Sequence, residues 1–135
     1  IEALAVLYGD AMTYDPANPD TEDRDWFILS KGHAGPAWYA TLAVRGFFDT
    51  DRLMTLNANG TDLPSHPDRL KVPGVEMTTG SMGQGISAAS GVAYRLLTTG
   101  KSNKVYCIVG DGELNEGQAW EAAQFIAHHN LHNMS

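Results

Sequence analysis

Residues 104–123 read KVYCIVGDGELNEGQAWEAA, and this stretch decides the fold class of the chain. It begins with a short apolar run, 104–109, which is typical of a strand covered on both faces of a parallel sheet. The turn GDG (110–112) interrupts the run, and a helical pattern resumes over 114–129. A strand, a glycine-rich turn and a helix in this order predict an α/β fold with a parallel sheet.

The sequence before this stretch continues the alternation of helices and strands. Leu4, Leu7 and Ala11 lie at helical spacing and predict a helix over 1–12. Proline, asparagine and aspartate are frequent over 14–25, where they favour turns. The further predicted elements are a strand at 26–29, a helix at 36–45, a short helix at 49–56 and a long loop at 57–73. Loops of that length in a compact domain are more often functional than idle.

The two ends of the chain predict an incomplete domain. No capping residue or initiator methionine precedes the first helix, and the last residues, HHNLHNMS (128–135), stop where an α/β chain would enter its next strand. We therefore expect residues 1–135 to form a single partial domain, truncated at both ends.

Composition argues against several classes of protein. The chain has 135 residues, about the length of one domain, and its 43% of hydrophobic residues is enough for a packed core. No run approaches the ~20 apolar residues of a membrane span. The net charge of −7, with no cluster of bases, disfavours nucleic-acid binding. Cys107 is the single cysteine, which excludes an intrachain disulfide and a CxxC metal site, so a cytoplasmic setting is expected.

The segment GSMGQGISAASGVA (80–93) is unusual in its small side chains. Ten of its fourteen residues are glycine, alanine or serine, which is too small a set for an ordinary amphipathic helix. We therefore expect its backbone to approach something closely. Contact with a ligand and tight helix packing are both open, and the second interpretation also suits Gly91 and Ala93.

The turn at 110–112 follows a strand, at the position where open α/β sheets bind ligands. Its glycines let the chain turn sharply and bring amide groups to a ligand, and Asp111 offers a hard oxygen suited to Mg²⁺ or Ca²⁺. The turn therefore predicts a phosphate bound together with a divalent cation. The alternative is an ordinary strand-to-helix turn in which Asp111 caps the helix.

Three segments in order connect the chain to a known family. They read RDWFILSKGHAGPAWYATL (24–42), TTGSMGQGISAASGVA (78–93) and GDGELNEGQAWEAA (110–123). Together they resemble the thiamine-diphosphate-binding domain of transketolase, over almost the whole chain, and the last is most similar to the N-terminal subunit of the split transketolases. The resemblance implies a three-layer α/β fold with a parallel sheet, and it implies thiamine diphosphate and Mg²⁺ or Ca²⁺ as cofactors.

The resemblance places the diphosphate and its metal at the turn after the second predicted strand. Asp111 would ligate the metal, the Gly112 amide would contact the diphosphate, and Glu113 is included with them at the cofactor. A carboxylate in a first helical turn is also favoured by the helix dipole, which is the alternative for Glu113. In the family a second ligand, an asparagine, follows farther along the chain, beyond Ser135.

Gly80, Ser81 and Met82 align with a Gly-Pro-Leu segment of the family. The backbone of that segment meets the aminopyrimidine, and its apolar side chain supports the bent cofactor. Here serine replaces proline, and methionine replaces leucine with a flexible side chain of similar size. We expect the cofactor contact to persist.

His33 and His66 are the candidate catalytic residues. His33, in SKGHAG, aligns with a family histidine at the diphosphate side of the cofactor, and His66, in SHPD, aligns with one that reaches the hydroxyls of the donor sugar. Histidine titrates near neutrality and can donate a hydrogen bond or carry a proton. The alternative is that each is a surface residue of its loop. A further family histidine would precede Ile1.

The helix after the GDG turn carries the predicted interface carboxylates. Glu116 and Glu121 align with family glutamates that link the two active sites of a dimer. His128 and His132 have the spacing of a helical metal pair, but nothing nearby completes an HExxH pattern, so interaction with the helix dipole is the favoured interpretation. The resemblance implies a C-terminal transketolase subunit or section as partner, in a homodimer or heterotetramer.

The implied activity is transfer of a two-carbon ketol group from a ketose phosphate to an aldose phosphate. The residues after GDG favour transketolase over other enzymes of this cofactor class, such as deoxyxylulose-phosphate synthase or a keto-acid dehydrogenase subunit. A non-catalytic binding domain is the more distant alternative.

Overall fold

The computed structural model describes all 135 residues. Two strands and four α-helices are joined by loops and by short 3₁₀ or π turns. In chain order they are α1 (Glu2–Val6), a π turn (Leu7–Ala11), β1 (Trp26–Leu29), a 3₁₀ turn (Gly32–Ala34), α2 (Gly35–Val44), a 3₁₀ turn (Thr50–Thr55), α3 (Gln84–Thr98), β2 (Val105–Ile108), a 3₁₀ turn (Gly112–Asn115) and α4 (Gly117–His128). None of the helices is long and apolar enough to cross a membrane.

The two strands form a parallel pair in which Trp26 lies opposite Val105 and Leu29 lies opposite Ile108. On the other side of β2 the last residues of the chain run parallel to it, and the Val105 N–H donates to the Asn133 carbonyl (2.8 Å). Because the strands are parallel, their carboxyl ends lie at one edge of the sheet. The segments that carry His33 and Asp111 follow β1 and β2 and leave the sheet at this edge.

Helices cover both faces of the sheet, which confirms the predicted α/β fold and its parallel sheet. Successive residues of a strand point to opposite faces, and β1 uses both. Phe27 and Leu29 pack with Tyr8 and with Trp38 of α2 in one buried cluster, where the Phe27 and Trp38 rings meet edge to face. Ile28 packs on the opposite face against the small residues of α3.

The strand predictions are confirmed, with one difference in burial. β1 occupies the predicted 26–29, and β2 is one residue shorter at each end than the predicted 104–109. Val105 is buried, but residues 106–108 are only half-buried, because α1 and the π turn leave an open apolar groove beside them. The expectation that this strand is covered on both faces is therefore wrong for most of β2.

The first predicted helix is present but buries a different stripe of residues. After five residues α1 passes into the π turn, which widens the helical spacing. Leu4 and Tyr8 are buried, whereas Ala11 is exposed, so the predicted stripe is wrong at its third member. Tyr8 takes the inward position because its hydroxyl accepts a hydrogen bond from Trp38 Nε1 (2.7 Å) in the core.

The small-residue segment forms a loop at 80–83 and then α3, which extends to Thr98. A Cβ added at Gly85 would lie 2.5 Å from Cα and Oγ of Ser30, directly after β1. The missing side chain therefore lets α3 pack onto the edge of the sheet, as the prediction of close approach requires. A Cβ at Gly91 would meet nothing within 4 Å, so tight packing does not explain that glycine.

The other helices lie close to their predicted bounds. The sequence predicts 36–45 where α2 covers 35–44, and 49–56 where a 3₁₀ turn covers 50–55. The helix predicted over 114–129 is a 3₁₀ turn followed by α4.

Candidate active site

Four segments meet at the carboxyl edge of the sheet. They are the residues after β1 (30–34), the loop before α3 (79–83), the turn after β2 (110–113) and residues 65–67. This edge is where α/β folds bind their ligands. The segments carry every residue that the sequence predicts at the cofactor or the donor sugar.

The loop after β1, the loop before α3 and His66 are in direct contact. A Cβ placed on Gly32 would lie 2.7 Å from Gly80 Cα and 2.9 Å from His66 Cδ2, closer than real Cβ atoms approach such neighbours. Only glycine therefore permits this contact. The structure brings Gly80 and His66 together, and it places His33 next to Gly32 on a 3₁₀ turn, where His33 is exposed.

Thr79 attaches this arrangement to the sheet. Its hydroxyl donates to the Leu29 carbonyl (2.7 Å), and its N–H donates to the Pro67 carbonyl (3.2 Å). The first bond joins the loop before α3 to the end of β1, and the second joins it to the residue after His66. Because Thr79 is buried, these bonds are shielded from water and hold the segments in a fixed relation.

Six of the seven residues predicted at the cofactor are exposed. They are His33, Gly80, Ser81, Met82, Asp111 and Gly112. Met82 lies at this edge, and its apolar side chain is 47% exposed. Exposed groups at one edge suit residues that contact a ligand, and the partly apolar lining is typical of cofactor sites.

Asp111 fits the role of a metal ligand. Its side chain is exposed and makes no capping hydrogen bond, so the alternative of an ordinary helix cap is not what the structure contains. A Cβ placed on the next residue, Gly112, would meet nothing within 4 Å, so the chain leaves open space at that residue. No group of three or more histidine, cysteine, aspartate or glutamate side chains in this chain could hold a metal. Asp111 offers one exposed carboxylate at this edge, without a cluster of further acidic, histidine or cysteine side chains around it.

Glu113, the seventh residue, has the opposite environment. It is 1% exposed; its Oε1 accepts hydrogen bonds from Ser30 Oγ (2.5 Å) and the Gly83 N–H (2.7 Å), and its Oε2 accepts one from the Gly110 N–H (3.0 Å). Burial raises the pKa of this carboxyl, but the three hydrogen bonds and nearby His33 outweigh burial, so the pKa lies below its ordinary value. Glu113 is a charged group whose oxygens face the chain.

Three polar residues at the site were not among the sequence predictions: Ser30, Thr79 and Lys31. The Lys31 side chain runs past the turn after β2, with its Cβ 3.4 Å from a Cβ placed on Gly110. It is half-buried and forms no ion pair within the chain. A basic group here would favour an anionic ligand. Its position in SKGHAG, two residues before His33, is the only sequence signal that could have found it.

The predicted interface carboxylates lie at the start of α4. Glu121 is exposed, and Glu116, directly before the helix, is half-buried. Trp120 beside Glu121 is 59% exposed, and its Nε1–H donates to the Leu114 carbonyl (2.7 Å). Phe125, one turn farther on, is 37% exposed. Phe125 also contacts the rings of Tyr94 and His129, so Trp120 is the more exposed of the two aromatic side chains.

The chain is an α/β domain with a parallel sheet, and its candidate site is a glycine-rich arrangement at the carboxyl edge of that sheet. The chain belongs to the transketolase family: residues 1–135 match the family model described as the thiamine diphosphate binding domain of transketolase. This match confirms the family that the three sequence segments predict.

Individual relatives agree with this family. The chain is 50% identical over 133 residues to the 6-deoxy-6-sulfo-D-fructose transketolase subunit of Clostridium sp. (strain MSTE9), covering 98% of this chain and 48% of that one. It is 40% identical over 134 residues to an apulose-4-phosphate transketolase subunit from Actinobacillus succinogenes, covering 99% and 49%. The chain thus spans about half the length of these curated relatives.

A solved structure shows the same fold. Transketolase from Leishmania mexicana superposes with a TM-score of 0.89 at 36% identity, covering 97% of this chain and 21% of that chain. The α/β fold with a parallel sheet is therefore that of the corresponding part of a transketolase.

Proposed function

We propose that this chain binds thiamine diphosphate with Mg²⁺ or Ca²⁺ and forms one part of a transketolase that transfers a two-carbon ketol group from a ketose phosphate to an aldose phosphate. The observation that carries the proposal is the contact of Gly32, Gly80 and His66 at the sheet edge that also bears the GDG turn. One ligand at this edge could touch all of these segments.

Asp111 and Gly112 would hold the diphosphate end of the cofactor. Asp111 supplies an oxygen ligand for the cation, and Gly112 offers its N–H beside open space. Lys31 adds positive charge next to the turn. Bound thiamine diphosphate would supply the carbon nucleophile that carries the ketol group, while the protein binds and orients the cofactor.

The other end of the cofactor would lie along the loop before α3. Gly80 and Ser81 present backbone groups there, and the exposed Met82 side chain would pack against the cofactor's apolar surface. Covering an exposed apolar side chain favours binding, because it removes apolar area from water.

The histidines would act on oxygen atoms. His33 would donate from a ring nitrogen to the diphosphate side of the cofactor, and His66 would donate to a hydroxyl of the donor sugar. Both are exposed at the edge, so a ring nitrogen of each can reach a ligand.

We further propose that the chain acts with a C-terminal transketolase subunit or section, as a homodimer or heterotetramer. The exposed Trp120 of α4 supports an interface there, which would include the neighbouring Glu116 and Glu121. The two curated relatives are named as subunits, which agrees with a partner chain. A cytoplasmic location, expected from the single cysteine, belongs to the same proposal.

The donor would be a ketose with an anionic group at its far end. One relative is named for 6-deoxy-6-sulfo-D-fructose and the other for apulose 4-phosphate. These names describe a sulfonate and a phosphate, so both kinds of sugar belong in the substrate test.

The decisive experiment is calorimetric titration of the complete protein with thiamine diphosphate, with and without Mg²⁺. We expect saturable binding that requires the metal. Ketol transfer is then assayed with the partner section present, using xylulose 5-phosphate and 6-deoxy-6-sulfofructose as donors and an aldose phosphate as acceptor. Binding without any transfer would favour a non-catalytic domain, and no binding would overturn the proposal.

The interface is tested separately by light scattering at micromolar concentration. We expect a dimer or larger assembly, and Glu121→Arg should shift it toward smaller species. Glu22→Arg is the control, because Glu22 is an exposed glutamate whose surface ion pair with Lys101 contributes little. A monomeric wild type that Glu121→Arg leaves unaltered would contradict the interface.

A further inference from the structure

One carboxylate joins three segments of the site that are far apart in sequence. Glu113 accepts hydrogen bonds from Ser30 Oγ at the end of β1, from the Gly83 N–H before α3 and from the Gly110 N–H after β2. Ser30 extends the connection, since its Oγ also accepts a hydrogen bond from the Ile86 N–H (3.0 Å) in the first turn of α3.

Burial keeps both oxygens of Glu113 away from a ligand at the edge. The residue is 1% exposed, its Oε1 accepts two hydrogen bonds from the chain, and its Oε2 accepts one. Asp111, two residues earlier, is exposed and makes no capping hydrogen bond. The turn therefore presents one carboxylate to solvent and turns the other into the protein.

We propose that Glu113 is a positioning residue that holds the GDG turn, the start of α3 and the end of β1 in the arrangement that receives the cofactor, and that it acts without touching the cofactor. This inference rests on the proposed binding of thiamine diphosphate. The sequence suggests that Glu113 contacts the cofactor directly. In this proposal Glu113 instead affects cofactor binding indirectly, through the three segments that it holds.

A carboxylate is the group that this position requires. All three neighbours are hydrogen-bond donors, and an ionised carboxylate is the side chain that only accepts. Glutamine has the same shape, but its amide NH₂ would face at least one N–H or O–H donor. A buried donor left without an acceptor is costly, and hydrogen bonds to a charged group are stronger than neutral ones.

The test uses the complete protein and two readouts, of which the first needs no cofactor. Amide hydrogen exchange of Gly83 and Gly110 is measured by NMR in apo protein for wild type and Glu113→Gln. Titration with thiamine diphosphate and Mg²⁺ follows on the same samples. We expect exchange at both amides to accelerate about tenfold or more and cofactor affinity to fall by a similar factor, because each amide loses a charged acceptor.

Two further variants make the result specific. Ser30→Ala removes one of the three donors and keeps the carboxylate, so it should fold even where Glu113→Gln does not, and it should accelerate exchange at Ile86 and weaken cofactor binding less. Glu22→Gln changes an exposed glutamate far along the chain and should change neither readout.

The possible results separate this inference from the function on which it rests. Weaker cofactor binding with unchanged exchange at Gly83 and Gly110 would make Glu113 a direct ligand and overturn the inference. Faster exchange at both amides with unchanged cofactor affinity would also overturn it. A wild-type protein that binds no thiamine diphosphate would overturn the proposed function, and the exchange measurements would still show whether Glu113 holds the three segments together.

Discussion

The turn after β2 has an outer half, whose residues are exposed to solvent, and an inner half, whose residues are buried. In the outer half, Asp111 and Gly112 are exposed, and a Cβ on Gly112 would meet nothing within 4 Å. In the inner half, Gly110 and Glu113 are buried, and Glu113 accepts three hydrogen bonds. The Asp111 carboxylate faces solvent and the Glu113 carboxylate faces the protein interior, although only one residue separates them.

The difference separates residues that would touch a ligand from residues that shape the place for it. A carboxylate exposed to solvent can exchange water for a metal ion at little cost. A buried one is stable only when donors compensate its charge, as they do for Glu113. The outer half is therefore expected to control binding and turnover directly, and the inner half to control the order of the loops. Four predictions test this division.

The largest effect is expected at the outer half. Asp111→Ala should abolish metal-dependent binding of thiamine diphosphate in the complete protein, because no neighbouring side chain can replace the ligand. Loss of a residue that only orients a metal ligand already weakens metal sites about 10–100-fold, so loss of the ligand itself should cost about a hundredfold or more. Calorimetric titration with Mg²⁺ measures this, and Asp111→Asn should be milder. Unchanged affinity in the alanine variant would remove Asp111 from the metal site.

The second prediction concerns the contact that joins the loops. Gly32→Ala would place a Cβ 2.7 Å from Gly80 Cα, where backbone must move to make room. We expect the free energy of unfolding to fall by about 1–3 kcal/mol and cofactor affinity to fall with it. Gly91→Ala is the matched control, because its Cβ would meet nothing within 4 Å and the helix should gain stability. Equal thermal denaturation curves for the two variants would contradict the close contact.

A smaller effect should separate substrate from cofactor contacts. His66→Ala is expected to reduce donor turnover while leaving cofactor affinity nearly unchanged, since the implied contacts of His66 are to sugar hydroxyls. A hydrogen bond to an uncharged group contributes ~0.5–1.5 kcal/mol, and more when its partner is left buried, so the loss should be about tenfold or somewhat greater. Steady-state kinetics and calorimetry on the same sample measure both. An equal loss of cofactor affinity would move His66 to the diphosphate.

The smallest effect probes the charge of the inner half. Burial, together with the nearby negative charge of Glu113, raises the pKa of the Cys107 thiol to about 12, against the opposing effect of a backbone hydrogen bond at Ser30. Glu113→Gln removes that charge, so the pKa of Cys107 should fall and more thiolate should form at a given pH. Alkylation by iodoacetamide, followed by mass spectrometry, should become a few-fold faster, and its pH profile should shift to lower pH. A rate increase with an unshifted profile would indicate greater exposure of Cys107 instead.

Local patterns in the sequence determined the secondary structure and the class of site. Apolar runs broken by glycine predict β1 and β2, and the strand-turn-helix order predicts a parallel sheet, because these signals depend only on neighbouring residues. The same holds for the exposed candidates: His33, Gly80 and Asp111 lie next to the elements whose carboxyl or amino ends form the site. The motifs around them predict the family, which the comparison over residues 1–135 confirms.

Tertiary structure decided which of these residues face the ligand edge and which face the protein. The local sequence supplies one donor to Glu113, the Gly110 N–H, but the other two donors, at Ser30 and Gly83, are 83 and 30 residues away. Thr79 is a similar case, since its anchor at Leu29 lies 50 residues earlier. The burial of Tyr8 in place of Ala11 depends in the same way on Trp38. Buried polar groups require hydrogen-bond partners, and a side chain that turns inward can supply one. Which groups are buried next to that side chain depends on residues far apart in sequence, so it is decided only when the chain folds.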